Sequence, residues 1–150
     1  MTKRRLLVKL MGSAAIVVAG ALLIGRTLSA YTQDPAVSQS AKEKLLATRA
    51  CVQCDLSNAS FDKGTDLKGA DLTGAKLIEA SFYRTDLTNA NFADADLSKA
   101  NLSMADLTNA GFGGANLDGA TLIGATGASL MGAKTTQTTV CPDGSNGPCR

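Results

Sequence analysis

The chain has 150 residues, of which 45% are hydrophobic and only 4% aromatic, so it has room for one modest domain with a core of small and aliphatic side chains. From residue 51 onward, seven basic residues stand against eleven acidic ones, which gives that part a net charge of −4. A negative body with few aromatic residues lacks the cationic groove that sequence-independent nucleic-acid binding requires. We therefore expect no nucleic-acid partner.

Residues 1–30 have the composition of a signal peptide or a membrane anchor. Four basic side chains within the first nine residues precede an uncharged stretch, and a small residue, Ala30, offers a place for cleavage. The pair Arg4-Arg5 favours the twin-arginine export route. The alternative is an uncleaved anchor formed by residues 6–24. In both cases we expect export to a periplasm or a thylakoid lumen, with this segment engaging the membrane or the export machinery.

Residues 31–50 are predicted to combine a linker with a short capping helix. Ser40 and Glu43 have the spacing of a capping box, which marks the start of a helix. The segment that follows contains Leu45 and Leu46, so the helix can present an apolar side to a neighbouring element. The residues before Ser40 are predicted to be linker.

Large apolar residues, which we call centres, then recur with an unbroken spacing of five. The centres are Leu67, Leu72, Leu77, Phe82, Leu87, Phe92, Leu97, Leu102, Leu107, Phe112, Leu117 and Leu122. Alanine stands two residues before each centre, except at Thr65 and Thr85. A step of five spreads leucines around every side of an α-helix and flips them between the two faces of a straight strand. The chain must therefore turn once per repeat, so that each centre and its small companion point into a shared interior.

The repeats resemble the A(D/N)LXX unit of the pentapeptide-repeat family, as in Ala70-Asp71-Leu72-Thr73-Gly74, Ala90-Asn91-Phe92-Ala93-Asp94 and Ala105-Asp106-Leu107-Thr108-Asn109. The resemblance covers residues 51–135. It implies an all-β fold, a right-handed quadrilateral β-helix with four repeats in each coil. A solenoid of this kind exposes apolar interior at its ends, so the helix predicted before residue 51 should cap the first coil.

Four repeats per coil give the coil four walls, one repeat on each wall in every coil. Centres twenty residues apart therefore lie on the same wall. Phe61 then falls above Phe82, and Phe92 above Phe112, so the phenylalanines should form two columns on opposite walls. Phe61 joins this register only if one extra residue bulges out within residues 62–66. The spacing of five fails again after the last centre, where we expect a distorted final coil.

The four cysteines suggest two local disulfides in an exported chain. The economical pairing joins Cys51 with Cys54 and Cys141 with Cys149, although the sequence leaves the connectivity open. Residues 136–150 would then be a polar tail with a disulfide loop. As alternatives, Cys51 and Cys54 could be buried thiols that pack like Leu and Ala, or a redox pair. A zinc site made of all four would have to unite cysteines from opposite ends of the rod.

Five of the eleven acidic residues after residue 50 stand immediately before a centre, where a short polar side chain can bond turn backbone and face solvent. One wall is predicted to carry a stacked acidic strip, formed by Asp66, Asp86 and Asp106. Lys63, Lys68 and Arg84 lie close enough in the register to offset part of the repulsion between the carboxylates. The alternative to an internally balanced wall is a docking strip for a basic protein partner, or a weak cation site.

The chain contains no His and no Trp, so the commonest general base is missing. We expect no enzymatic activity, no cofactor and no metal. The predicted function is a non-catalytic interaction or scaffold module that binds an unidentified protein in an exported compartment. The resemblance implies one alternative, a DNA mimic that inhibits a topoisomerase, which the weak acidity and the export signal disfavour. A second alternative is a thiol redox protein that uses Cys51 and Cys54.

Overall fold

In the computed structural model the described residues are 35–61 and 64–149, and all of them belong to one compact unit, Thr32–Arg150. The predicted targeting segment, residues 1–30, lies outside the described residues. Within the described ranges, no helix combines the length and the apolar character that crossing a membrane requires.

Helix α1, Pro35–Thr48, precedes the repeats. It begins five residues before the predicted start, so the capping-box pair Ser40 and Glu43 lies inside the helix, and part of the predicted linker is helical. Proline at the first helical position explains this earlier start. Its missing N–H would have no intrahelical acceptor there, and its fixed φ suits a helix.

After α1 the chain winds in coils that are joined by isolated parallel bridges. Between Asp66 and Thr126 the bridges connect residues twenty positions apart, such as Asp71 with Asn91. Beside each bridge the amide of a centre donates to the neighbouring coil, as Leu72 does to the carbonyl of Asn91 at 2.8 Å. No continuous strand forms in the described part of the chain, because each pentapeptide offers one bridging position before the backbone turns. Four pentapeptides therefore make one coil, and the β structure consists of bridges.

A tight turn follows each centre. The amide of Ala75 donates to the carbonyl of Leu72 at 3.0 Å, and Gly74 between them has φ +62°. The residue before the centre stabilises the same turn, because Asp71 Oδ1 accepts a hydrogen bond from the amide of Thr73 at 3.1 Å. Asp or Asn before a centre and Gly or Asn two residues after it are thus the local signals for the corner.

The interior has the composition that the repeat predicts. Each of the twelve centres is at most 1% exposed. The rings of Phe61 and Phe82 stack with centroids 4.9 Å apart, and those of Phe92 and Phe112 stack at 5.1 Å. The two columns meet edge to face across the interior, where Phe82 and Phe92 lie 5.9 Å apart. The predicted pairing of the phenylalanines is confirmed.

The first coil contains the predicted extra residue. Ser60 pairs with Ser81, twenty-one positions on, whereas the bridges from Asp66 to Asp106 join residues twenty apart. The carbonyl of each of the twelve centres accepts a turn hydrogen bond from the amide three residues ahead. Phe61 holds the corresponding place in the first coil, and its carbonyl does not accept a bond from the amide of residue 64. Instead the buried hydroxyl of Thr85 donates to the Phe61 carbonyl at 2.8 Å. This bond explains why threonine replaces alanine at position 85.

Helix α1 covers the start of the coil. Leu45 is fully buried in the core, while Leu46 next to it is 44% exposed. Lys42 donates from Nζ to the carbonyl of Ser60 and lies 5.4 Å from the centroid of the Phe61 ring. Helix α1 therefore lies over the first coil as predicted, and Leu45 is the leucine that packs it against the core.

The C-terminal segment, predicted over residues 136–150 as a polar tail with a disulfide loop, also contributes residues to the coil. Val140 forms a parallel bridge with Thr121, nineteen positions before it, and its carbonyl accepts the amide of Leu122 at 2.8 Å. Thr139 and Cys141 on either side are buried, so this segment occupies repeat positions and closes the final coil. The distortion predicted there is confirmed by the shortened spacing.

Candidate functional site

Outward side chains line up in columns because each coil contains twenty residues. Bridges join Asp66 with Asp86 and Asp86 with Asp106, so the structure brings the predicted acidic strip together on one wall. Neighbouring carboxylates repel at this spacing unless cations lie between them. The cationic side chains around the strip therefore decide what the strip can bind.

The first carboxylate of the strip is paired with Arg49, at the end of α1. The two terminal nitrogens of Arg49 donate to the two carboxylate oxygens of Asp66 at 2.9 and 2.8 Å. The nitrogen Nη1 also donates to the carbonyl of Lys68 at 3.0 Å. The hydrogen bond from Arg49 is the main cause that lowers the pKa of Asp66 to about 2, and the amide of Lys68 adds to it.

The second carboxylate is paired with Lys68, whose Nζ lies 3.1 Å from Asp86 Oδ2. Hydrogen bonding to Asp86 raises the pKa of Lys68, while the hydroxyl of Thr88 is the main cause of the lowered pKa of Asp86. The third carboxylate, Asp106, accepts bonds from the amide and hydroxyl of Thr108, and no cation in the described ranges forms a salt bridge with it. Among the described cations, Lys68 interacts with Asp106 electrostatically without a direct ion pair, so Asp106 is the least compensated carboxylate of the strip.

The pairing of the strip differs from the sequence-based expectation. Arg84 does not pair with it and lies with its guanidinium carbon 6.0 Å from the centroid of the Tyr83 ring. Lys63 is outside the described residues. The missed partner, Arg49, could have been found by extending the repeat backward. Its carbonyl accepts the amide of Asp71, which places Arg49 where other repeats have alanine, two residues before Cys51.

The structure joins the cysteines in two local disulfides, Cys51–Cys54 and Cys141–Cys149, with Cα atoms 5.3 and 5.4 Å apart. Cys51 is fully buried beneath α1, and Cys54 is half-buried across the first corner. The described residues contain no group of three or more His, Cys, Asp or Glu side chains placed to hold a metal ion.

A shallow depression of about 470 Å³ lies beside the second disulfide, and Asp143 supplies its only carboxylate among the lining residues. The hydroxyl and the amide of Ser145 donate to that carboxylate and lower the pKa of Asp143. A carboxylate that two local donors hold in its ionised form contributes to the turn and has no base beside it for proton transfer.

Comparisons with known proteins agree with this architecture. The family described as pentapeptide repeats matches in eight copies, over residues 51–77, 65–103, 86–124 and 95–134. A crystal structure of a pentapeptide repeat protein, Rfr23 from the cyanobacterium Cyanothece 51142, is similar with a TM-score of 0.56 and 26% identity, over 67% of this chain and 97% of that one. No curated protein sequence matches the chain significantly.

Two further solved structures show weaker structural similarity. A pentapeptide repeat protein from the Arabidopsis thaliana thylakoid lumen has a TM-score of 0.37 and 30% identity, over 63% of each chain. HetL, a pentapeptide repeat protein from Nostoc sp. strain PCC 7120 involved in heterocyst differentiation regulation, has a TM-score of 0.26 and 26% identity, over 65% of this chain and 62% of that one. The family match and the similarity to Rfr23 imply a right-handed β-helix, and this chain belongs to the pentapeptide repeat family.

Proposed function

We propose that this chain is a non-catalytic protein-interaction or scaffold module that works in an exported compartment. The observation that carries the proposal is the fixed register of its outward side chains. Backbone hydrogen bonds between successive coils, such as that from Leu77 to Asp96 at 2.7 Å, hold each column in place. A surface that is already ordered loses little conformational entropy when a partner binds, which favours recognition by a rigid wall.

The chemistry of the carboxylates supports a role without catalysis. The pKa of Asp66 is lowered to about 2, and the pKa values of Asp71, Asp86 and Asp118 are also lowered by hydrogen bonds from neighbouring side chains. Carboxylates that stay ionised at neutral pH are poor general acids, and the chain has no histidine to act as a base. These groups are suited to holding turns and to pairing with cations.

The ion pairs on the acidic strip weaken the case for DNA mimicry. A mimic of DNA needs a dense row of uncompensated negative charges, because the nucleic acid itself carries one charge about every 1.7 Å of its axis. Arg49 and Lys68 neutralise two of the three aspartates on the strip. For the same reason, a basic partner that docks on this wall would find only Asp106 unpaired by a described cation.

The interaction role is tested by capturing partners from the exported compartment with the full chain, and by repeating the binding with the purified partner and one variant for each wall. The strip variant changes Asp66, Asp86 and Asp106 to Asn, which keeps the oxygen that accepts the turn hydrogen bond. We expect binding to be lost with the variant of one wall and retained with the other three. Absence of any direct partner, or equal loss with all four variants, would contradict the proposal.

Export is supported by the basic and apolar pattern of the first thirty residues and by two disulfides, which persist in oxidising compartments. Cell fractionation with N-terminal sequencing provides the test. We expect the chain in a periplasm or thylakoid lumen, either starting near Tyr31 or retaining its first residues at the membrane. Changing Arg4 and Arg5 to Lys should block export if the twin-arginine route is used. An intact chain found only in the cytoplasm would contradict this part of the proposal.

A further inference from the structure

One wall of the coil differs from the others in charge. Over the three coils from residue 66 to residue 125, three walls each carry at least two carboxylates beside their centres, and the fourth carries none. Beyond residue 125 the fourth wall continues through Val140 to Asp143, whose carboxylate accepts hydrogen bonds from the amide and the hydroxyl of Ser145. We call the fourth wall the tyrosine wall. It comprises Ser81, Asn101 and Thr121 before the centres, and Tyr83, Arg84, Ser103, Met104, Ile123 and Gly124 after them. Residues 62 and 63, which precede this wall in the first coil, lie outside the described residues.

Large apolar side chains are exposed along one corner of the tyrosine wall. Tyr83 is 44% exposed, Met104 56% and Ile123 45%, and each belongs to a different coil. The corner is continuous, because the amide of Arg84 donates to the carbonyl of Ser103, and the amide of Met104 to the carbonyl of Ile123. Single exposed apolar residues are ordinary on protein surfaces, but a row of three in successive coils forms a ridge.

Arg84 provides the charge on this wall. Its guanidinium lies over the Tyr83 ring, and no acidic side chain in the described ranges forms a salt bridge with it. A guanidinium supported by an aromatic ring can bind a carboxylate through two hydrogen bonds. Arg, Tyr and Met are enriched in the centres of protein interfaces.

From these observations, and resting on the proposed interaction function, we infer that the tyrosine wall is the docking surface, and that it takes a protein segment with an apolar side chain next to an acidic one. The apolar residue packs on the ridge of Met104 and Ile123, and the acidic residue pairs with Arg84. Charge complementarity favours this wall, because over these three coils Arg84 has no carboxylate on its own wall, whereas each of the other three walls carries two or three carboxylates. The partner can therefore bind in one orientation around the rod.

A peptide display library panned on the immobilised full chain tests this inference. We expect enriched peptides to contain Asp or Glu near Leu, Ile, Phe or Trp. Their affinity should fall about tenfold or more with Arg84→Gln or with Met104→Gln and Ile123→Thr together, as for central interface residues. The salt dependence of binding should disappear with Arg84→Gln alone. The control is Thr88→Ala with Asn89→Ser on the acidic-strip wall, which should leave the affinity unchanged.

Other outcomes would overturn the inference in recognisable ways. Enriched peptides that are basic and depend on Asp86 and Asp106 would retain the interaction function and move the docking surface to the acidic strip. Self-association of the chain that is lost with the ridge variant, seen by sedimentation, would identify a second copy as the occupant. Binding of the ridge to anionic lipid vesicles would identify a membrane. Failure of the panning, together with failure to find any direct partner, would remove both this inference and the proposed function.

Discussion

At the scale of single residues, the corners depend on backbone with positive φ. The residue two after each centre has this geometry, and at several corners it carries a side chain, as at Glu79, Lys99 and Met104. Such a conformation costs about 1 kcal/mol or more for residues other than glycine. The repeat tolerates it because the coil above and the coil below fix the backbone through hydrogen bonds.

Glycine is required at one place where space as well as φ is limited. Gly127 has φ +66°, and a Cβ atom there would lie 2.7 Å from the Cα of Thr108. Gly69 has φ +62° with no atom within 4 Å of such a Cβ. We predict that Gly69→Ala lowers the free energy of unfolding by about 1 kcal/mol, and that Gly127→Ala costs a further ~1–3 kcal/mol from overpacking. Chemical denaturation of both variants measures the difference, and equal losses would show that Thr108 does not limit the space.

The pKa of the Asp66 carboxyl should depend on the presence of Arg49. Its pKa in the folded chain is about 2, which is below the ordinary value of 3.8. A carboxyl whose pKa is lowered by folding contributes stability above its unfolded pKa and loses that contribution as the pH falls toward 2. We predict that NMR titration places the Asp66 midpoint near 2, and that Arg49→Gln raises it toward the ordinary value. Arg84→Gln is the control, because Arg84 does not contact the strip. A midpoint that Arg49→Gln leaves unchanged would show that the ion pair does not form in solution.

At the scale of elements, α1 acts as a cap through one buried leucine. Leu45 is fully buried and Leu46 is 44% exposed, so the two adjacent residues form a matched pair. We predict that Leu45→Ala lowers the free energy of unfolding by about 2–5 kcal/mol, as for other buried leucines. Leu46→Ala should change it by less than about 0.5 kcal/mol. Faster amide exchange at Cys51 and Leu56 in the first variant would locate the damage in the first coil. Similar losses for both variants would mean that α1 does not pack as described.

The sequence predicts the repeated elements well because each repeat carries its own local signals. The centres, the aspartates before them and the extra residue before Asp66 all follow from the spacing of five. The ends are predicted less well, since they depend on contacts that have no period. Pro35 is a local signal for the start of α1, and Arg49 occupies a repeat position two residues before Cys51, but both lie before the unbroken run of centres that makes the pattern visible. Thr139 and Cys141 do match the repeat positions, but the altered spacing before them hides the match.

At the scale of the whole molecule, the coils form a quasi-one-dimensional stack in which each coil contacts only its neighbours. The walls differ in their outer residues while the interior stays nearly uniform, with leucine, phenylalanine and alanine in fixed positions. Function can therefore change wall by wall without disturbing the core. The tyrosine wall, with the cation of Arg84, and the acidic strip, with two of its three aspartates in ion pairs, are two such outer patterns on one frame.

This layered design predicts that one complete coil can be removed without loss of the fold. Deleting residues 86–105 takes out twenty residues and joins Thr85 to Asp106, so every remaining centre keeps its wall and Asp106 bridges directly to Asp66. We expect a folded, protease-resistant rod with a lower denaturation midpoint, because fewer interfaces between coils remain. Deleting residues 86–104 instead removes nineteen and shifts each later centre by one position, which turns leucines outward. We expect that variant to lose protease resistance in its C-terminal half. Equal resistance of the two variants would show that twenty residues are not the unit of the coil.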